Sequence, residues 1–256
     1  MLVKKIISAF LAFLLLVLFN FTIQDSCYSV FIPFIVSLII LKNSYDLYFT
    51  RKLCIADCFF NKNTKIYTII TGKIFILIIS FIISVFLSTV LMLSIMSYTD
   101  NFMLQISILF IDIFILIFLQ KLFMANKIIK KNKNNIFITN LTSWINAIFL
   151  STIFMFYSLN AKPPAYINND IFVTIKKASL KTTTKCKVLK KLLLISNGLD
   201  GMKNWILLNY QLNTTFNSYL LIVILFIGNF TMSFAYGRYI LAITNLHNKK
   251  EKNETE

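Results

Sequence analysis

Apolar runs of roughly twenty residues recur along the whole chain, and that recurrence limits the fold more than any motif does. A helix rises 1.5 Å per residue, so about 20 apolar residues cross the roughly 30 Å of hydrocarbon in a bilayer. In hydrocarbon no water satisfies a free N–H or C=O, so a spanning segment must close its hydrogen bonds within itself. The runs therefore predict transmembrane helices at 3–23, 27–48, 72–97, 102–124, 136–158 and 218–242, here spans 1 to 6. With 57% of 256 residues hydrophobic, the chain exceeds the roughly 45–50% of soluble domains. The expected architecture is all-α: a single membrane domain over 1–256, a polytopic bundle of about six transmembrane helices. A basic, partly amphipathic extramembrane loop at 162–216 joins spans 5 and 6.

Two spans carry ambiguities. Lys4 and Lys5 ahead of the apolar stretch 6–21 resemble the start of a signal peptide, but no small-x-small site follows at 20–23, so a retained first helix is expected. Span 2 is the weakest, because its uninterrupted apolar run covers only 27–41 and contains Pro33. Tyr45, Tyr48 and Phe49 suit the aromatic belt at its inner end.

Lysine placement orients the bundle. With six spans and the N-terminus inside, the inner segments hold sixteen basic residues and the short outer turns at 24–26 and 98–101 hold none, carrying Asp25 and Asp100 instead. An AT-rich coding composition accounts for much lysine but not for this placement, which follows the positive-inside rule. Both termini are expected to be cytoplasmic, in a bacterial inner (plasma) membrane. The loop 162–216 dissents, with nine lysines on the outer side, although loops of this length approach the point where the rule weakens. A rival topology with span 2 re-entrant puts that loop inside, but leaves 11 basic residues inside against 14 outside.

The net charge of +16 does not mark a nucleic-acid binder, since 24 of the 26 basic residues are lysine and only Arg51 and Arg238 offer the planar fork that reads base edges. The basic loop has a different use. Pro163 and Pro164 end span 5, and 171–175 reads as a short strand. The stretch 186–196 reads as an amphipathic helix, with Val188, Leu189, Leu192, Leu193 and Ile195 on one side and Lys187, Lys190 and Lys191 on the other. Asn197-Gly198 is expected to stop it, and a second piece at 202–212 carries Trp205 and Tyr210. Such basic helices either lie on anionic lipid headgroups or cap the bundle. Lys187, Lys190, Lys191 and Trp205 are the candidate membrane-surface residues.

Inside the membrane, ionisable groups are costly and are functional candidates by default. Asp112 alone lies near a span centre, with Gln105 seven residues earlier on nearly the same face. Span 5 places Thr139, Thr142, Ser143 and Asn146 in one sector that could meet Asp112 across the bundle. The candidate polar site is therefore Asp112, Gln105, Thr142 and Asn146, serving either a proton or cation or as interhelical glue. Ser80, Ser84 and Ser88, the Ser233–Gly237 pair and the Ser8–Ala12 pair read as small-residue ridges for close helix packing, and Lys73 and Arg238 as residues snorkelling from helix ends.

Catalytic signatures are sparse. The chain has one histidine, all its glutamates lie at 251–256, and Cys54-x₃-Cys58 has no partner pair for a zinc site. These two cysteines read as small apolar fillers, and span 2 keeps Cys27 away from them. No cofactor, catalytic residue or metal site is expected. The expected role is a non-catalytic subunit of a larger membrane complex of export, secretion or respiratory type, whose partners are the lipid bilayer, its anionic headgroups and other membrane subunits. The alternative is a transporter or permease subunit using Asp112.

Overall fold

A computed structural model describes residues 2–22, 26–59, 64–96, 102–125, 134–160, 164–180, 184–211 and 218–253. Among them the chain is all-helical. In order come α1 (Leu2–Thr22), a 3₁₀ turn (Cys27–Val30), α2 (Phe31–Phe59), α3 (Lys65–Thr71), α4 (Lys73–Met96) and α5 (Phe102–Ala125). Then follow α6 (Asn134–Asn160), α7 (Ile171–Ser179), α8 (Lys187–Gln211) and α9 (Ser218–Asn253). Four stretches are long and apolar enough to cross a membrane: Cys27–Phe49, Lys73–Met96, Gln105–Phe123 and Ile138–Asn160. They coincide with spans 2 to 5. Spans 1 and 6 are also helical, but the described apolar stretch of α1, Ile6–Thr22, is shorter, and Asn229 and Arg238 interrupt the apolar run of α9. The turns with Asp25 and Asp100, the loop holding Lys127, Lys130, Lys131 and Lys133, and Pro163 lie outside the described residues.

The packing is inverted relative to a soluble protein. On α4, Ser80 and Ser84 are 0% exposed, while Ile78 and Ile82 on the opposite side are 52% and 61% exposed. Water would reverse that arrangement, whereas hydrocarbon solvates the isoleucines and leaves the serines to pack. The predicted serine ridge thus faces inward, and α2 lies along it. Ser88 Oγ donates to Pro33 O at 2.8 Å. Pro33 sits in the first turn of α2, where its missing N–H leaves no helical bond unmade. The proline therefore tolerates the span instead of breaking it. A continuous apolar core joins α1, α2, α4, α5, α6, α8 and α9.

The segment between α6 and α9 departs from the sequence reading in three ways. The strand expected at 171–175 is the helix α7: Asp170 caps it by accepting from Phe172 N at 2.7 Å, and Thr174 Oγ1 donates to Asp170 O at 3.0 Å. Capping and the face of α8 outweigh the β-branched composition. Nor does Asn197-Gly198 stop the amphipathic helix, because α8 runs through it and absorbs the second predicted piece. Its glycines are there for contact. A Cβ on Gly201 would come within 2.7 Å of Ala178 Cβ, so the bare backbone lets α7 lie against α8. Third, Cys27 and Cys186 form a disulfide with Cα atoms 5.2 Å apart, which no spacing foretold. It fastens the start of α8 to the end of the bundle where α2 begins.

Arg238 is not near a helix end, because α9 continues to Asn253. Its side chain is buried, donates to Asn140 Oδ1 and lies 4.9 Å from the centre of the Phe234 ring. Snorkelling is thereby replaced by a hydrogen bond and a cation–π contact.

Replacing Gly201 by Val should separate α7 from α8 and cost about 1–3 kcal/mol, read as a lower thermal unfolding midpoint in detergent. Gly198→Ala, whose Cβ would lie 3.3 Å from Ser179 Oγ, should lower the midpoint less.

Candidate functional site

A polar centre lies where α5, α6 and α9 meet. Asp112 on α5 and Asn146 on α6 are both 0% exposed, and Asn146 Nδ2 donates to Asp112 Oδ2 at 2.9 Å. The polar stripe of span 5, which by its spacing could meet Asp112, does so through Asn146. Thr139, Thr142 and Ser143 continue that stripe and are buried, with Ser143 Oγ donating to Thr139 O at 2.9 Å within its own helix. On α9, Ser233 is also buried. Asp112 Oδ1, Asn146 Oδ1, Thr142 Oγ1 and Ser233 Oγ make no hydrogen bond among the described residues. A buried polar atom left in this state is destabilising unless something satisfies it.

Two tyrosines frame the centre, and the sequence reading missed both. Tyr236 Oη donates to Leu109 O at 2.7 Å, one turn before Asp112 on α5, and Tyr239 Oη donates to Ala12 O at 3.2 Å on α1. The signal that could have found them is position. Tyrosines favour the headgroup belts of a membrane protein, and these two, three residues apart, stand well inside α9 and are fully buried.

Gln105 does not join Asp112. It lines a separate cavity of about 270 Å³, walled by α4, α5, α6 and α9 and closed on one side by α8. Shared helical phase put the two residues on one face, but α8 crosses the end of the bundle and Gln105 lines the space beneath it. That cavity also holds Asn229 of α9 and Asp200 and Lys203 of α8.

Among the surface candidates, Lys187, Lys190 and Lys191 are exposed. The opposite face, Leu189 and Leu193, is buried in the main core instead of being left for lipid, whereas Ile195, expected on that face, is exposed. Trp205 Nε1 donates to Asn169 O at 2.9 Å, which ties α8 to the loop ahead of α7. Leu189, Leu193 and Trp205 thus attach α8 to the bundle while its lysines stay exposed. Among the described residues no three His, Cys, Asp or Glu side chains gather as they would around a metal ion.

No protein-family model, curated protein or solved structure matches this chain. What can be said of function rests on the chain's own geometry.

Asn146→Leu should leave Asp112 without its donor and destabilise the bundle by about 1–3 kcal/mol. Asp112→Asn retains a polar partner for Asn146 and should cost about 0.6 kcal/mol or less. Equilibrium unfolding in mixed micelles, comparing the two variants with the parent, checks both values and their order.

Proposed function

We propose that this chain is a non-catalytic, six-span membrane protein that works as a subunit of a larger membrane assembly of export, secretion or respiratory type. The observation that carries this reading is the sealed polar centre: Asp112, Thr142, Ser143 and Asn146 are all at 0% exposure and joined across α5 and α6. Enclosed polar contacts of this kind fix how helices pack, whereas a pathway residue has to meet solvent at some stage. Spans 1 and 6 complete the bundle in this reading, since α1 and the second half of α9 share its core.

The proposed orientation has both termini in the cytoplasm of a bacterial cell. Two independent features support it. With Arg238 set aside as buried within α9, fifteen basic residues fall on the segments assigned inside and none on the short outer turns. The Cys27–Cys186 disulfide lies at the opposite end, and disulfides persist in oxidising compartments such as the periplasm or cell exterior. The lysines of α8 would then face the outer headgroups.

A second reading, a transporter or permease subunit, is favoured by Asp112 Oδ1, Asn146 Oδ1 and Thr142 Oγ1, which make no hydrogen bond among the described residues. A proton on the carboxyl or a small cation would satisfy them.

Purification in mild detergent followed by mass spectrometry of co-purifying chains separates these readings. The subunit reading expects stoichiometric membrane partners and loss of solution stability when they are stripped. A chain that is monodisperse and stable alone, and that carries a proton or cation flux in proteoliposomes abolished by Asp112→Asn, overturns it in favour of the second. For orientation, intact cells are treated with a membrane-impermeant reductant and then an impermeant maleimide. Cys186 should be labelled without permeabilisation, and labelling only after permeabilisation refutes the topology.

A further inference from the structure

The cavity beneath α8 has a composition that neither reading above uses. Its wall is mostly apolar, contributed by residues such as Val90 and Leu93 of α4, Phe154 of α6 and Leu225 of α9. Into this lining come two polar atoms with no hydrogen-bond partner among the described residues: the acceptor Gln105 Oε1 and the donor Asn229 Nδ2. A buried acceptor and a buried donor in one cavity call for a ligand that offers both complements. Lys203 adds a cation to the same lining. Burial pulls its ammonium below the usual lysine range, and the Asp200 carboxylate opposes that shift. Asp200 is not reserved for Lys203, because it also accepts from Asn204 Nδ2 at 3.1 Å and from Tyr166 Oη at 3.5 Å.

The cavity is also reachable. Leu199 and Ile224, both in its lining, are exposed. A Cβ on Gly228, another lining residue, would meet no atom within 4 Å, so this stretch of wall borders open space. In a protein whose flanks are solvated by acyl chains, an accessible apolar cavity fills with a chain in preference to water.

We propose that this cavity binds an anionic amphipath, with one acyl chain against the apolar wall, the anionic head on Lys203 and its ester or hydroxyl groups on Asn229 and Gln105. The anion is the phosphate of a single-chain phosphoglyceride, whose glycerol hydroxyl can donate to Gln105 Oε1 and whose ester carbonyl can accept from Asn229 Nδ2; a free fatty acid shares the chain and the negative charge but has no donor for Gln105. An ionised phosphate oxygen accepts from the Lys203 ammonium, which is the stronger class of hydrogen bond. The site stands apart from the Asp112 centre and needs no partner subunit, so its failure would leave the proposed function untouched.

The test is a titration of the full-length purified protein, followed by native mass spectrometry, with lysophosphatidylglycerol in one arm and oleate in the other. One saturable equivalent per chain is expected in the lysophosphatidylglycerol arm, with weaker binding of oleate, and oleate binding as tightly or more tightly overturns the assignment of the head to Gln105 and Asn229. Lys203→Gln should weaken that binding about five- to tenfold, the worth of one lysine at a lipid headgroup. Gly228→Phe should abolish it by filling the cavity, while Gly228→Ala should retain it. Thermal unfolding, and the mobility shift of the Cys27–Cys186 bond on a non-reducing gel, verify that each variant is folded. Non-saturable uptake in both arms, or equal affinity in the parent, Lys203→Gln and Gly228→Phe, overturns the proposal.

Discussion

Helices dissolved in hydrocarbon gain little by burying leucine against leucine, so a membrane bundle must be held by close packing and by its few polar bonds. Here those bonds converge on α9. From Met232 to Ala242 nearly every residue of that helix is buried. Three of its side chains reach three different neighbours: Tyr236 to α5, Arg238 to α6 and Tyr239 to α1. At about 100° of turn per residue, Arg238 points away from Tyr236, while Tyr239 lies on the same side as Tyr236, offset toward Arg238. The rest of the bundle is arranged about that axis. The Asp112–Asn146 contact then joins two of the surrounding helices to each other.

Helix existence was legible because the hydrocarbon constraint acts on each span alone. Apolar length decides it, and spans 3 to 5 match α4, α5 and α6 to within two residues at either end. The facing of Thr142 and Asn146 toward Asp112 was legible for a related reason, since a polar sector on a spanning helix has only the interior to turn to. What failed was whatever depended on a neighbour. The residues at 171–175 read as a strand because β-branching is a local property, and the helical answer came from α8. Asn197-Gly198 read as a stop because glycine ends helices that are free to end. Gln105 was grouped with Asp112 by phase alone, and phase does not say which helix fills the space beside it.

The end of the bundle covered by α8 illustrates how such neighbour-dependent structure arises. The hairpin of α7 and α8 is basic on one face and apolar on the other, and its apolar face is absorbed by the bundle through Leu189 and Leu193. Ser196 Oγ donates to Leu93 O at 2.7 Å on α4, and Ile206 and Leu207 pack with Leu225 on α9. Fixed by the disulfide at one end and by these contacts further along, α8 bridges the bundle without filling it. The cavity with Gln105 and Lys203 is the space left under that bridge. A segment that looks like a loop by composition thus builds a wall of a binding-sized volume.

The position of α9 in the sequence has a consequence for biogenesis. The helix at the centre of the bundle is made after the helices that surround it, so α2, α4, α5 and α6, the helices long and apolar enough to cross a membrane, are complete before that core has arrived. The 93 residues between Asn160 and Asn253 take on the order of 5–20 s to synthesise at roughly 5–20 residues per second. Over that interval the inward sides of the earlier helices, Asp112 and Asn146 among them, have only lipid or one another for company. The bond between these two residues would then serve first as a temporary clasp, holding α5 and α6 in register until the axis is threaded between them.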